Sequence, residues 1–389
     1  MKKTLLATAI AGALGASAAA QAATVYNQDG TQLDIYGNLQ IAYRSIETAQ
    51  DDGSVESADD IFDNGSTFGV TGQHVINPGL TGYFKAEWEF NADESKGDDA
   101  DNGISRSDQA YMGLKGNFGD ARLGSWDPLI DDWVQDPISN NEYFDVTDSS
   151  IVGDDGVGTQ IADEDREGDK IQYLSPSFGG FQFAVGSQYK GDAEDENVDS
   201  SGSASFFGGV KYEVGAFSVA AVYDNLANYD GEVTGGAYNV VDADGNPEVN
   251  PVTGEEITSG EFDAGDQYGV TFQYTIDALR LAAKYERYES GDSDYLPDEN
   301  RYAVGARYGY GFGDVYGAYQ YVDTGGGDAW DTLTEDDVEI GENDDSRNEI
   351  VLGATYNLSS AMYTFVEAAW YDQEDDVDDG VSVGAVYAF

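Results

Sequence analysis

Between Trp126 and Gly168 the chain carries acids at Asp127, Asp131, Asp132, Asp136, Glu142, Asp145 and Asp148. The stretch is about forty residues long and has neither a sustained period of two nor a helical period; such a connection is usually functional or disordered. Its Trp126, Ile130, Trp133, Ile138, Tyr143 and Phe144 give it material to pack against something. Bases are scarce. Arg44, Lys85, Lys211, Arg280, Lys284, Arg301 and Arg307 fall on polar positions of alternating segments, and Arg166 closes the acidic stretch. Opposed carboxylates and bases act on ions and polar solutes through their fields rather than by covalent chemistry. One histidine, His74, and no cysteine exclude most metal cages and any Cys/His nucleophile chemistry.

These charges must be held by something, and the composition says what. Forty-nine glycines and 27 tyrosines with only seven prolines suit many strands joined by tight turns. The formal net charge of -57 excludes a nucleic-acid partner, which needs clustered Lys and Arg, and favours cations. Solvation of the surface in a saline habitat accounts equally well for many of the acids. Met1–Ala22 reads as a secretory signal: Lys2 and Lys3, an apolar run from Leu5 to Ala20, and the A-x-A site Ala20-Gln21-Ala22. The mature domain is then residues 23–389, at about -59 once the two lysines leave. No later stretch reaches the apolar length of a membrane helix, so a membrane location requires a closed barrel.

Alternation runs through the mature chain. In LDIYGNLQIAYRS (33–45), Leu33, Ile35, Leu39, Ile41 and Tyr43 oppose Asp34, Asn38, Gln40 and Arg44. The clearest case is QYGVTFQYTI (267–276), with Tyr268, Val270, Phe272, Tyr274 and Ile276 on one face. Segments at 66–76, 80–91, 105–116, 121–125, 169–175, 181–189, 204–214, 217–225, 279–289, 301–310, 314–322, 347–358, 362–372 and 380–389 follow the same rule. Turns of two to six residues alternate with loops of roughly eight to forty, and strand lengths match tilted membrane strands. About sixteen strands, short turns on one side and long loops on the other predict an all-β, 16-stranded antiparallel transmembrane β-barrel with a polar lumen. A soluble sandwich would need an apolar enclosed face instead.

Several local signals have plainer readings. By parity His74 lies with Phe68 and Val70 on the outer face, which rules against a barrel enzyme using it as a base. Asp242-Ala243-Asp244-Gly245-Asn246 opens like a calcium loop, but Pro247 and Thr253 occupy the positions that need Gly and Glu. No cofactor is expected, beyond weak divalent-cation binding to the acidic loops. Gly309, Gly311 and Gly313 sit in a strand-to-strand turn with no helix after them and read as turn glycines.

Four blocks in order, VYNQDGTQLDIYGNLQ (25–40), AYMGLKGNFGDARLG (110–124), IQYLSPSFGGFQFAVGSQY (171–189) and the final strand ending at Phe389, resemble the general porins of Gram-negative outer membranes. The resemblance covers the whole mature chain. It implies a homotrimer of diffusion channels in outer-membrane lipid and lipopolysaccharide, with Tyr387 and Phe389 as the signal read by the barrel-assembly machinery. It also implies that 126–168 is the third loop, folded inward, its acids facing a basic ladder across the constriction. Arg166 matches a ladder position; the others fall on Asn38, Thr67 and Asp108, and VQDPISNNEYFD (134–145) replaces the PEFGG signature. A thinned ladder, partly reversed in sign, points to cation preference, with Asp131 and Asp132 beside Trp133 as the leading pair. A substrate-specific channel is the nearer alternative, and an adhesin or receptor role for the acidic loops the more distant one.

Overall fold

The computed structural model describes residues 22–49, 54–93, 104–134, 142–147, 168–189, 204–229, 231–232, 261–291, 298–325, 345–373 and 376–389. The first half supplies β1 (Ala23–Gln28), β2 (Thr31–Ala49), β3 (Val55–Asp63), β4 (Thr67–Asn77), β5 (Leu80–Phe90), β6 (Ile104–Gly116), β7 (Gly119–Ser125), β8 (Lys170–Leu174) and β9 (Phe181–Tyr189). Next come β10 (Ala204–Val214), β11 (Phe217–Asn225) and the two-residue strands β12 (Gly231–Glu232) and β13 (Glu261–Phe262), which pair only with each other. Then follow β14 (Asp266–Ile276), β15 (Leu279–Glu289), β16 (Asp298–Gly309), β17 (Asp314–Gly325), β18 (Asp345–Asn357), β19 (Met362–Trp370) and β20 (Gly380–Ala388). A single short helix, α1 (Leu129–Val134), is described between β7 and β8.

Every strand of the large sheet pairs antiparallel with its neighbours, and β20 returns to β2 to close it. The sheet contains eighteen strands but sixteen staves. β3 and β4 pair with successive parts of one edge of β2. On the other edge β20 stops opposite Asn38 and β1 starts opposite Ile35, so the first and last strands complete one stave. Gly37 and Phe389 exchange both backbone hydrogen bonds at 3.0 Å across that junction.

The alternation is physical. On β14, Phe272, Tyr274 and Ile276 are 47%, 48% and 49% exposed on the outer face, while Gln267 and Thr271 are buried inside. Leu39, Met112, Leu123, Val185, Leu352 and Val383 continue the exposed apolar band. Near the long-connection ends of the strands the outer face turns amphipathic. Tyr223 donates to Asp266 at 2.6 Å and Tyr285 to Asn300 at 3.0 Å, and Tyr285 and Tyr302 pack at 5.0 Å, as an interfacial girdle requires. His74 lies on this outer side at the opposite rim, exposed and bonded at 2.7 Å to Thr31.

Inward aromatics follow a rule that explains much of the glycine. Tyr36, Tyr83, Phe207, Tyr316 and Phe365 each lie flat over a glycine of the next strand: Gly69, Gly113, Gly186, Gly353 and Gly384. A side chain at any of these glycines would collide with the ring. The rings thereby stay along the wall and out of the lumen. The hairpin at Asp29-Gly30 has positive φ at both residues, 51° and 76°, the geometry whose twist fits two paired strands.

Three elements depart from the sequence expectation. β1 and β3 fall outside the segments whose alternation reads as strand; Glu56, Asp59, Asp60 and Asp63 put acids on both faces of β3 and hide its period. The stretch expected to lack helix contains α1, whose six residues are too few to show a period. Residues 1–21 and 242–246 lie outside the described residues.

Candidate functional site

The long connection leaves β7 at Ser125 and is fixed at once. Trp126 is 1% exposed. The Arg122 guanidinium lies 4.2 Å from its ring, the Lys170 ammonium lies 5.1 Å from it, and Tyr111 meets it edge-on at 5.8 Å. Lys170 also donates to the Trp126 carbonyl. Asp127 and Pro128 then give the residue order favoured at a helix start, and Asp131 and Asp132 sit in the first turn where the helix dipole favours acids. Leu129, Ile130 and Val134 are buried against Ala184 of β9, Phe207 of β10 and Val222 of β11. These three side chains contribute about 1.5–3 kcal/mol each to docking. Ala184, Phe207 and Val222 belong to the inner parity, since their neighbours Val185, Phe206 and Tyr223 are exposed outside.

The described tip of the connection, residues 142–147, touches a different part of the wall. Phe144 and Val146 are buried with Tyr316, Ala318, Val351 and Ala369, and Tyr143 packs beside Phe62 and Phe365. The Glu367 carboxylate, 1% exposed on β19, accepts the backbone N–H groups of Glu142, Tyr143 and Phe144 at 2.9, 2.9 and 2.8 Å. Tyr316 donates its hydroxyl to the same carboxylate at 2.6 Å. Arg44 donates to the Tyr143 hydroxyl at 2.9 Å, Asn64 to the Glu142 carbonyl at 2.6 Å, and Tyr363 to the Glu142 carboxylate at 2.9 Å. Thr147 is held at a φ of 77°, a strained value for a β-branched residue.

The acids of the connection therefore occupy distinct settings. Asp127 accepts from Gln109 at 2.8 Å, and Gln109 in turn accepts from Lys85 at 2.9 Å. Asp132 stands 3.7 Å from Arg122 and keeps 43% of its side chain accessible. Enclosure pushes its carboxyl up to about 6 against the opposing pull of Arg122. The open Asp132 side chain still meets water, whereas Glu142 is better shielded. Burial lifts Glu142 to about 7, against the opposing effects of the Tyr363 hydrogen bond and Arg307. Asp131 lies on α1 and Asp145 lines a cavity beside the tip. Asp136, Asp148 and Arg166 lie outside the described residues.

Five of the wall bases share one arrangement. Lys85 pairs with Glu87 at 2.9 Å, Lys211 with Glu213 at 2.8 Å, Lys284 with Glu286 at 2.9 Å and Arg301 with Glu299 at 2.6 Å. Arg347 pairs with Glu349 at 2.6 Å. In each case the acid is two residues along the same strand, which places both side chains on the inner face. Each pair nearly cancels its own field at a distance. Arg44 stacks 4.6 Å from Phe62 and stands 4.0 Å from Asp60. Arg307 is 3.4 Å from Asp314 and 4.7 Å from the Tyr316 ring, with Arg280 directly opposite it in register.

Sequence reasoning missed Arg122, Lys170, Arg347 and Glu367. Arg122 was legible by parity, since Leu123 is exposed outside. The repeated pattern of a base and an acid two apart (Lys85-Glu87, Lys211-Glu213, Lys284-Glu286, Arg347-Glu349) was legible too.

A closed barrel with an apolar exterior and a charged, hydrogen-bonded interior is the architecture of an outer-membrane channel protein. Residues 7–376 match the family model described as Gram-negative porin, and the chain belongs to that family and resides in the outer membrane. A Halomonas sp. protein named "Monosaccharide porin" is 54% identical over 100% of both chains, as is the "Major outer membrane protein" of Halomonas elongata. Outer membrane porin F of Escherichia coli K12 is 26% identical over 100% of both chains. Among solved structures, Salmonella typhi OmpF in complex with daunomycin superposes with a TM-score of 0.65 at 21% identity, over 94% of this chain and 100% of that one. The anion-selective porin of Comamonas acidovorans gives 0.61 at 19%, over 92% and 100%.

Proposed function

We propose that the chain forms a water-filled channel through which neutral monosaccharides, small hydrophilic solutes and ions diffuse, with a preference for cations. The observation that carries this reading is the pairing of Lys85, Lys211, Lys284, Arg301 and Arg347 with acids on their own strands. Bases cancelled in this way build no anion-attracting ladder. Asp127, Asp131, Asp132, Glu142 and Asp145 then set the sign of the field where the connection narrows the lumen. A nearly neutral wall also suits uncharged solutes, in keeping with the name of the relative at 54% identity.

Three further features belong to the same reading. The chain acts as a homotrimer, as in the trimer form of the Vibrio cholerae OmpT neighbour. Its outer girdle contacts lipid and lipopolysaccharide. Its last strand, with Tyr387 and Phe389 on the outer face, is the segment handled by the assembly machinery. Swelling of proteoliposomes in isotonic D-glucose tests the sugar pathway, with rapid swelling expected and none in protein-free vesicles. Swelling at the protein-free rate would sink it.

A further inference from the structure

Beside the Tyr143–Phe144 tip, on its long-connection side, lies a cavity of about 370 Å³. Its lining joins two chemistries. Tyr143 and Phe144 from the tip and Tyr371 from the β19–β20 connection give it aromatic faces; Phe144 and Tyr371 are 6.5 Å apart and inclined at 53°. Arg347, Glu349 and Gln373 give it planar polar groups. Arg347 donates through Nε to Glu349 at 2.6 Å, and Gln320 donates to the second oxygen of Glu349 at 2.8 Å. Glu349 is thereby held in one orientation, while Arg347 keeps 27% of its side chain accessible. Gln373 donates to Asp378 at 3.2 Å, a bond that does not use its amide oxygen.

The cavity is preformed. The Glu367 carboxylate fixes the backbone under Tyr143 and Phe144. On the other side Tyr371 donates its N–H to Asp379 at 2.8 Å and Asp378 donates to the Glu47 carbonyl at 2.8 Å. Asp372, Asp376 and Asp378 adopt φ of 53°, 61° and 66°, left-handed turn positions that Asp accepts better than most non-glycine residues. Rigid aromatic and polar groups bind without an ordering cost.

Chemistry narrows the ligand. An apolar molecule would cover the remaining guanidinium N–H groups of Arg347 and the amide oxygen of Gln373, which the bonds to Glu349 and Asp378 do not use. A simple anion would meet Glu349, Asp145 and Asp378, and a simple cation Arg301 and Arg347. A pyranose matches both halves, its C–H face against a ring and its hydroxyls in the fork of a guanidinium, carboxylate or amide. At about 30 Å³ per water the cavity holds about a dozen waters, of which one hexose displaces roughly six.

We propose that this cavity is a binding site for a neutral monosaccharide on the approach to the pore, with Tyr371 as stacking platform and Arg347, Glu349 and Gln373 as hydroxyl partners. The assignment rests on the reading of the chain as a sugar-passing channel. Binding there is weak and raises local sugar concentration next to the tip, since a tight site would hold its solute rather than pass it on.

The test is a D-glucose titration of the purified full-length protein in detergent, read by saturation-transfer NMR, with glycine betaine as a small zwitterionic comparison probe. Saturable glucose binding is expected. Tyr371→Ala and Arg347→Gln each raise the half-saturation concentration at least fivefold, and Tyr371→Trp, which keeps a platform, stays within twofold of wild type. Heat-modifiable electrophoretic mobility confirms that each variant is folded. Absence of saturable glucose binding to wild type, unchanged binding by both loss variants, or saturation by betaine and not by glucose overturns the site. Bilayer conductance of the same preparations separates the two claims. A protein that conducts without binding glucose removes the site and leaves the channel; one that binds glucose without conducting keeps the site and removes the channel.

Discussion

Glu367→Gln is the most searching perturbation of the inner wall. The side chain keeps its size and loses its charge. At present each carboxylate oxygen accepts two hydrogen bonds: Oε1 from the Glu142 N–H and the Tyr316 hydroxyl, Oε2 from the N–H groups of Tyr143 and Phe144. An amide offers one oxygen, and its NH2 must face at least one backbone N–H whichever way it turns. One stranded N–H plus the lost charge assistance on the rest costs about 2–4 kcal/mol. At 1.4 kcal/mol per factor of ten, the undocked population of the tip rises roughly 30- to 700-fold. Hydrogen–deuterium exchange of the peptide spanning Glu142–Thr147, read by mass spectrometry in micelles, measures that population. Exchange at least 30-fold faster than wild type is expected, with a noisier single-channel current. Exchange within threefold of wild type would show that Glu367 does not hold the tip, and the reasoning from its four hydrogen bonds would be wrong.

Other expectations concern charge, pH and packing. Glu87→Gln with Glu213→Gln frees Lys85 and Lys211, so the reversal potential in a KCl gradient moves several tens of percent toward the anion limit; an unmoved potential would mean these bases do not face the current. Glu142 is lifted to about 7 from an ordinary value near 4.3, so the docked tip takes up a proton between the two. Docking is then firmest below about pH 4 and loses this contribution as pH rises through 7, while cation preference grows over the same interval. Glu142→Gln removes both trends in exchange and reversal-potential measurements, and trends that survive it would assign them elsewhere. Gly353→Val places a side chain where the Tyr316 ring lies, costing about 1–3 kcal/mol and disturbing the hydroxyl bonded to Glu367. Lower yield of heat-resistant barrel checks this, and a yield equal to wild type would contradict it.

How much of this was readable in the chain depends on range. The staves were readable because period two survives in segments such as 267–276, where water and lipid impose opposite demands on alternate residues. β3 was not, because its outward and inward positions both carry acids. The inner position of Arg44, Lys85, Lys211, Arg280, Lys284, Arg301 and Arg307 followed from parity, but their state did not. For Lys85, Lys211, Lys284 and Arg301 the acid two residues away decides whether the charge acts on a solute, while Arg44 and Arg307 meet acids of other segments, Asp60 and Asp314. Glu367 was invisible for another reason. A lone acid between Phe365 and Ala369 signals an inward polar position, yet the three backbone N–H groups it holds lie more than 220 residues earlier, and only the closed barrel brings them together. Asp131 and Asp132 were singled out from their neighbour Trp133, and the structure places Asp132 beside Arg122, whose inner parity Leu123 already implied.

A water-filled pore whose field is set by acids passes current with a defined charge preference. Planar-bilayer recording of the purified protein in a KCl gradient tests it most directly. Ohmic steps with a reversal potential of the cation-selective sign are expected. A protein that inserts without forming an ohmic conductance would contradict the pore itself, and a reversal potential of the anionic sign would contradict the assignment of the field to the acids.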